Sequence, residues 1–142
     1  MLFQKLLKLL SRKEKAIKRD DWFLQEIKRE DPHALYQLAV MYANGQGYPK
    51  DPVRANQLIR ESANKGYSHA QFRLWSDYGF GRGLDKCLVL SYVWAQLAVN
   101  HGLHSAIEVA QVAKSKLNSE QLVIAEELIR GPIESIPNQL SN

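Results

Sequence analysis

The feature that most constrains the fold is an internal repeat. Residues 34–69 align with residues 70–105 without a gap, and nine of the 36 positions are identical. The identical pairs are Ala34/Ala70, Leu38/Leu74, Tyr42/Tyr78, Gly45/Gly81, Gly47/Gly83, Lys50/Lys86, Val53/Val89, Asn64/Asn100 and Gly66/Gly102. Small, apolar and aromatic residues recur at helical spacing, and glycines recur where helices should end. A period in the thirties with two helices per unit predicts an αα-solenoid.

Capping residues predict the helix boundaries of the first copy. Asp31 and Asp51 are N-cap acceptors, and each precedes a proline, which is favoured at the first helical position. Gly45 and Gly66 are expected to end the two helices, the first at about Asn44.

The second copy and the segment after it predict four further helices. Ser68-x-x-Gln71 resembles a capping box, and the helix that it starts should end within residues 79–83. Its partner spans roughly residues 86–101. A long helix over residues 105–117 follows, and Ser119 is expected to cap a last helix that ends at Arg130. No stretch alternates with a period of two, so we expect no sheet.

Charge is distributed unevenly between the ends of the chain. The 142 residues carry a net charge of +4. Residues 1–19 hold seven basic residues and one Glu, a balance of +6, and the other residues hold twelve basic and fourteen acidic ones, a balance of −2. A nucleic-acid-binding domain usually spreads basic and aromatic residues over one face, and no such face is indicated, so nucleic acid is not an expected partner.

The basic N-terminal segment predicts an amphipathic helix with two alternative roles. Apolar residues within residues 2–17 fall on one side and lysines and arginines on the other. The helix can cap the open end of the solenoid, or it can act as an anchor, through residues 2–18 to an anionic membrane surface or to the groove of a partner. A second short helix over residues 22–29 is also expected.

No pattern in the sequence indicates catalysis, a cofactor or a metal site. The run Gly79-x-Gly81-x-Gly83 lacks a preceding strand and recurs in the first copy, so it is interpreted as a helix connection. The single cysteine, Cys87, excludes an internal disulfide framework and has no predicted catalytic partner. Surface roles are expected for the four histidines. Trp75 and Trp94 are interpreted as core residues.

The repeats resemble a known family. The motif Ala34-x-x-x-Leu38-Ala39-x-x-Tyr42-x-x-Gly45-x-Gly47, followed by Ser62-Ala63-x-x-Gly66, is similar to the Sel-one-like repeat (SLR), a relative of the tetratricopeptide repeat (TPR). The second copy departs from it at Trp75, Cys87 and Leu90-Ser91, and residues 106–129 resemble the closing helices of short bacterial members. The resemblance implies a right-handed αα-superhelix with N- and C-terminal capping helices.

The resemblance also implies how the chain is divided. The expected units are the N-terminal basic and capping helices (1–33), repeat 1 (34–69), repeat 2 (70–105), a partial third repeat with a capping helix (106–131) and an irregular tail (132–142).

Alignment with the TPR pattern implies a concave binding face on the first helix of each repeat. The partner-binding residues expected there are Tyr36, Val40, Asn44, His69, Phe72, Ser76, Phe80 and Glu108. The aromatic members would form an exposed strip suited to a protein partner. The alternative is that terminal helices fill this groove, which would make these residues part of the core.

The expected function is that of a non-enzymatic interaction module that docks a protein or peptide, either as an adaptor or scaffold or as an inhibitor. Two alternatives remain open at this point. One is a cell-wall or β-lactam-related enzyme, as suggested for cysteine-rich family members, and the other is a membrane-surface tether. A cytoplasmic location, or one peripheral to the inner membrane, is expected, and a small homo-oligomer is compatible with so short a solenoid.

Overall fold

The described part of the protein is built of helices. The structure, a computed structural model, describes residue 4 and residues 31–140. Apart from residue 4, the two predicted N-terminal helices lie outside these ranges. The helices of residues 31–140 are α1 (Pro32–Asn44), α2 (Pro52–Asn64), α3 (Ser68–Phe80), α4 (Leu88–Asn100), α5 (Ile107–Ser115) and α6 (Ser119–Arg130), with 3₁₀ turns at His104–Ala106 and Ile133–Ser135. No strand occurs among them.

The helices form a short αα-solenoid. Helix α1 pairs with α2, α3 pairs with α4, and α4 also packs against α5 and α6. The core runs through the pairs, with Leu38, Leu58 and Leu74 at most 3% exposed and Trp94 fully buried. The prediction of an all-α solenoid is confirmed.

The caps of the first pair form as predicted. The Asp31 carboxylate accepts a hydrogen bond from the His33 N–H at 2.9 Å, and that of Asp51 accepts one from the Arg54 N–H at 3.0 Å. Gly45 ends α1 in the left-handed conformation at φ 67°. In that conformation its N–H reaches the carbonyl of Met41, which satisfies an acceptor at the helix end.

Two predicted caps are wrong. Tyr67, not Ser68, is the N-cap of α3, and its side chain makes no cap bond. The predicted capping box does not form because the Gln71 side chain is fully buried and bonds Ala63 and His101. Asn118, not Ser119, caps α6 in a reciprocal capping box with Gln121.

The segment before α6 is less regular than predicted. The helix expected over residues 105–117 begins with the 3₁₀ turn His104–Ala106, so α5 itself covers only Ile107–Ser115. None of the described helices combines the length and apolar character that a membrane crossing requires.

Candidate functional site

The eight residues predicted to bind a partner lie on α1, α3 and α5, and none is fully buried. Asn44, His69, Phe80 and Glu108 are exposed, whereas Tyr36, Val40, Phe72 and Ser76 are half-buried. Helical spacing explains this, because positions four apart share one face and the core residues Leu38 and Leu74 occupy the opposite one.

Rings from α1, α3 and the connection before α3 meet around Tyr67, and we call this group the tyrosine cluster. The centroid of the Tyr67 ring lies 5.6 Å from that of His33, 5.4 Å from that of Tyr36 and 5.3 Å from that of His69. Burial raises the pKa of Tyr67, and nearby Tyr36 and Asp31 add to the effect. The Tyr67 phenol therefore stays neutral to higher pH than a free tyrosine would.

A second group of rings lies along α3. Trp75 contacts Phe72 at 4.8 Å and Phe80 at 6.2 Å between ring centroids. The Arg82 guanidinium lies 5.1 Å from the centre of the Phe80 ring, within the range of a cation–π contact. Phe80 nevertheless remains 63% exposed.

These rings border a cavity of about 230 Å³ between α3, α4 and α5, which we call the Trp75 groove. Its walls include Trp75, Phe80, Val109 and Val112, and Glu108 and Lys116 also line it. The side chain of Val112 is 55% exposed. The groove is thus an open, mostly apolar depression with one acidic and one basic residue in its lining.

The groove contains some of the predicted residues and not others. Phe80 and Glu108 line it directly, and Phe72 contacts it through Trp75. Tyr36 and His69 belong instead to the tyrosine cluster. The other three predicted residues line neither feature; they are Val40, Asn44 and Ser76.

Sequence reasoning missed several residues of the two features. Trp75 was expected in the core, as Trp94 is, but it is only half-buried and packs against the core while lining the groove. The helical stripe through Glu108 and Val112 continues one turn further to Lys116, so spacing alone could have found that residue. Helical spacing could not identify Tyr67 as a site residue, because it lies between helices.

A buried carboxylate lies near the end of α3. Asp77 is 1% exposed and forms an ion pair with Arg73 at 3.1 Å. Burial raises the pKa of Asp77, and Arg73 and then Arg82 partly offset the increase. Arg82 therefore acts on Asp77 as well as on the Phe80 ring.

His101, one of the histidines considered for metal binding, has a structural role. The Nδ1 atom of His101 lies 3.1 Å from Gln71 Oε1 and 2.9 Å from the Leu97 carbonyl oxygen. Both are acceptors, so Nδ1 carries the proton and the ring closes the end of α4. Gln71 in turn donates to the Ala63 carbonyl at 3.0 Å, linking α2, α3 and α4. Within residues 31–140, no group of three or more His, Cys, Asp or Glu side chains could hold a metal ion.

Stacked helix pairs of this kind define a class, the αα helical-repeat proteins. Comparison with known proteins agrees with this class. The Sel1 repeat family matches residues 32–67. No curated protein matches the chain significantly.

Two solved structures have the same architecture. The first is c5321, a protective antigen of uropathogenic Escherichia coli with an SLR fold, which aligns with a TM-score of 0.69 and 28% identity over 80% of this chain. This chain spans only 25% of the length of c5321. The second is a Sel1 repeat protein from Oxalobacter formigenes, with a TM-score of 0.60 and 22% identity over 74% of this chain and 95% of that one.

Residues 32–67 thus match the Sel1 repeat, and the described helices have the fold of the SLR solenoid structures. Such repeats are typically protein-interaction modules and are generally not enzymes. The resemblance seen in the sequence is confirmed at the level of repeat and fold.

Proposed function

We propose that the protein is an adaptor-type or inhibitor-type module that binds a segment of another protein in the Trp75 groove, with the tyrosine cluster as a secondary contact surface. The observation that carries the proposal is the combination of an apolar cavity with two large exposed apolar residues in its walls, Phe80 and Val112. Exposed apolar patches with aromatic residues are typical of interaction sites.

The size of the groove favours a side-chain anchor over a free small molecule. Pockets for drug-sized ligands are about 300–1,000 Å³, and this one is about 230 Å³. One large apolar side chain of a partner would fill much of it. Burying such a side chain contributes about 1.5–3 kcal/mol, or roughly a tenfold to hundredfold gain in affinity.

The test is affinity capture from an extract of the source organism with the intact protein and with a Phe72→Ala/Phe80→Ala variant. Val53→Ala is the matched control, because Val53 is 67% exposed and lies on α2, outside the groove. All three proteins are first compared by thermal melting.

We expect a partner that the intact protein and the Val53→Ala control retain and that the double variant loses. Equal capture by all three proteins would show that the Trp75 groove is not the binding site.

A further inference from the structure

Residues 132–140, here called the tail, pack against the solenoid where α2, α3 and α4 meet. Ile136 is its anchor, since it is 3% exposed and belongs to the hydrophobic core. Ile133 and Leu140 are half-buried against the same core. A segment expected to be irregular is therefore held in a groove of its own, which we call the tail groove. Arg60 and Tyr78 donate hydrogen bonds to the tail in this groove.

Most of the hydrogen bonds that hold the tail are directed at its main chain. The Arg60 guanidinium donates to the carbonyl oxygen of Ile136, and to that of Pro137 at 3.5 Å. The Tyr78 hydroxyl donates to the Asn138 carbonyl oxygen at 2.8 Å. Every peptide offers carbonyl oxygens, so these donors do not require the side chains of this particular tail. The exception is Gln139, which donates to Asp85 at 3.1 Å.

Arg60 is positioned for this task by its neighbours in the solenoid. Its guanidinium lies 4.7 Å from the centre of the Trp94 ring, and Nη1 lies 3.5 Å from the Tyr78 hydroxyl. Burial lowers the pKa of Arg60, and Tyr78 partly offsets this. Within residues 31–140 no carboxylate forms an ion pair with Arg60. The carbonyl oxygens of the seated segment therefore replace much of the solvation that the guanidinium loses.

The tail fills the groove incompletely. A cavity of about 370 Å³ remains beside Asn138. Leu74, Tyr78 and Leu84 contribute apolar surface to its walls. Asn138 is exposed and is one of the residues that line this space. An aliphatic side chain at the same position would bury apolar surface there.

From these contacts we infer that the tail groove is a second binding site, for an extended segment of another protein. That segment presents an aliphatic residue at the place of Ile136 and an aliphatic residue in place of Asn138. In this structure the tail occupies the site in cis. The inference does not depend on the proposed function of the Trp75 groove, which is formed by other residues.

A partner segment must bind the tail groove tightly enough to displace the tethered tail. A short tether gives the tail an effective concentration of the order of millimolar. A free peptide with the sequence of the tail would therefore bind poorly to the intact chain. A partner segment with an aliphatic side chain at the Asn138 position would bind more tightly than the tail does. Each additional buried methylene contributes about a fourfold gain in affinity.

The test uses the full chain with the tail weakened by Ile136→Asn. Two fluorescent peptides serve as probes, one with the sequence of residues 132–140 and one with the same sequence carrying Asn138→Leu. We expect fluorescence anisotropy to show binding of both peptides to the Ile136→Asn chain, with the leucine peptide at least about fourfold tighter. Adding Arg60→Met should abolish binding. Failure of both peptides to bind a folded Ile136→Asn chain, or equal affinity of the two, would overturn the inference.

A variant of the intact chain keeps the inference testable if Ile136→Asn does not fold. Asn138→Leu in cis should fill the cavity and raise the melting temperature by several degrees. Asn138→Ser, which leaves the cavity empty, is the matched control and should melt close to the wild type. An unchanged or lower melting temperature for Asn138→Leu would show that an aliphatic side chain at position 138 does not fill the cavity, which would contradict the inference. Phe80→Ala should leave every one of these results unchanged, so the two proposals can fail separately.

Discussion

Leu74 shows how one repeated residue supports the solenoid. It is 3% exposed in the core, and its counterpart in the first copy, Leu38, is 1% exposed. Leu74→Ala should lower the free energy of unfolding by about 2–5 kcal/mol through lost burial and a residual cavity. Chemical denaturation measures this, with Val53→Ala as the exposed control expected to change stability by less than about 0.5 kcal/mol. An unchanged denaturation midpoint for Leu74→Ala would exclude Leu74 from the core.

The buried hydroxyl of Tyr78 makes the free energy of unfolding fall at alkaline pH. Burial raises its pKa above the ordinary value of 10.0, with Arg60 opposing the increase. The folded chain therefore keeps this proton to higher pH than the unfolded chain, and the associated stability, complete below about pH 10, is lost as pH rises through the folded-state pKa. Burial also raises the pKa of Tyr67 and Tyr92, so these residues share in the decline.

Tyr78→Phe isolates the contribution of this residue. The variant should be about 0.5–1.5 kcal/mol less stable at pH 7, because it loses the hydrogen bond to the Asn138 carbonyl. Its stability should then fall less steeply above about pH 10 than that of the wild type, so the two curves converge. Urea denaturation at a series of pH values measures both. Parallel curves would show that Tyr78 does not titrate differently in the folded and unfolded chains.

At the scale of the element, α6 begins with a reciprocal cap. Asn118 accepts a hydrogen bond from the Gln121 N–H at 2.9 Å, and the Gln121 side chain accepts one from the Asn118 N–H at 3.1 Å. Asn118→Ala should cost about 0.5–2 kcal/mol, whereas Ser119→Ala, one position into the helix, should cost less than about 0.5 kcal/mol. Denaturation of the two variants side by side measures this. The reverse order of the two effects would restore Ser119 as the cap.

The helix starts of the first pair were predictable from sequence because their caps are local. Asp31 and Asp51 each bond an N–H within three residues, so a short stretch of sequence contains both partners. The capping box expected at Ser68 does not form because Gln71 binds Ala63 and His101 instead. His101 lies 30 positions away. No local pattern reveals that competition.

At the scale of the whole molecule, the repeat predicted the solenoid but only part of the candidate site. Trp75 is predicted to lie in the core, and the alignment places it opposite Ala39, which is fully buried. A tryptophan is too large for that position, and it lies half in the core and half in the groove. The tail groove was not predictable, since it joins residues 76 positions apart through main-chain carbonyls.

Site-specific photo-crosslinking tests directly whether a partner binds in the Trp75 groove. A photoreactive phenylalanine derivative is placed at Phe80, in the Trp75 groove, and in a second protein at Val53, which is equally accessible and outside it. Both proteins are irradiated in an extract of the source organism. We expect a discrete protein adduct from position 80 that Val112→Ala weakens, and no such adduct from position 53. The same adduct from both positions, or an adduct from position 53 alone, would contradict binding in the Trp75 groove.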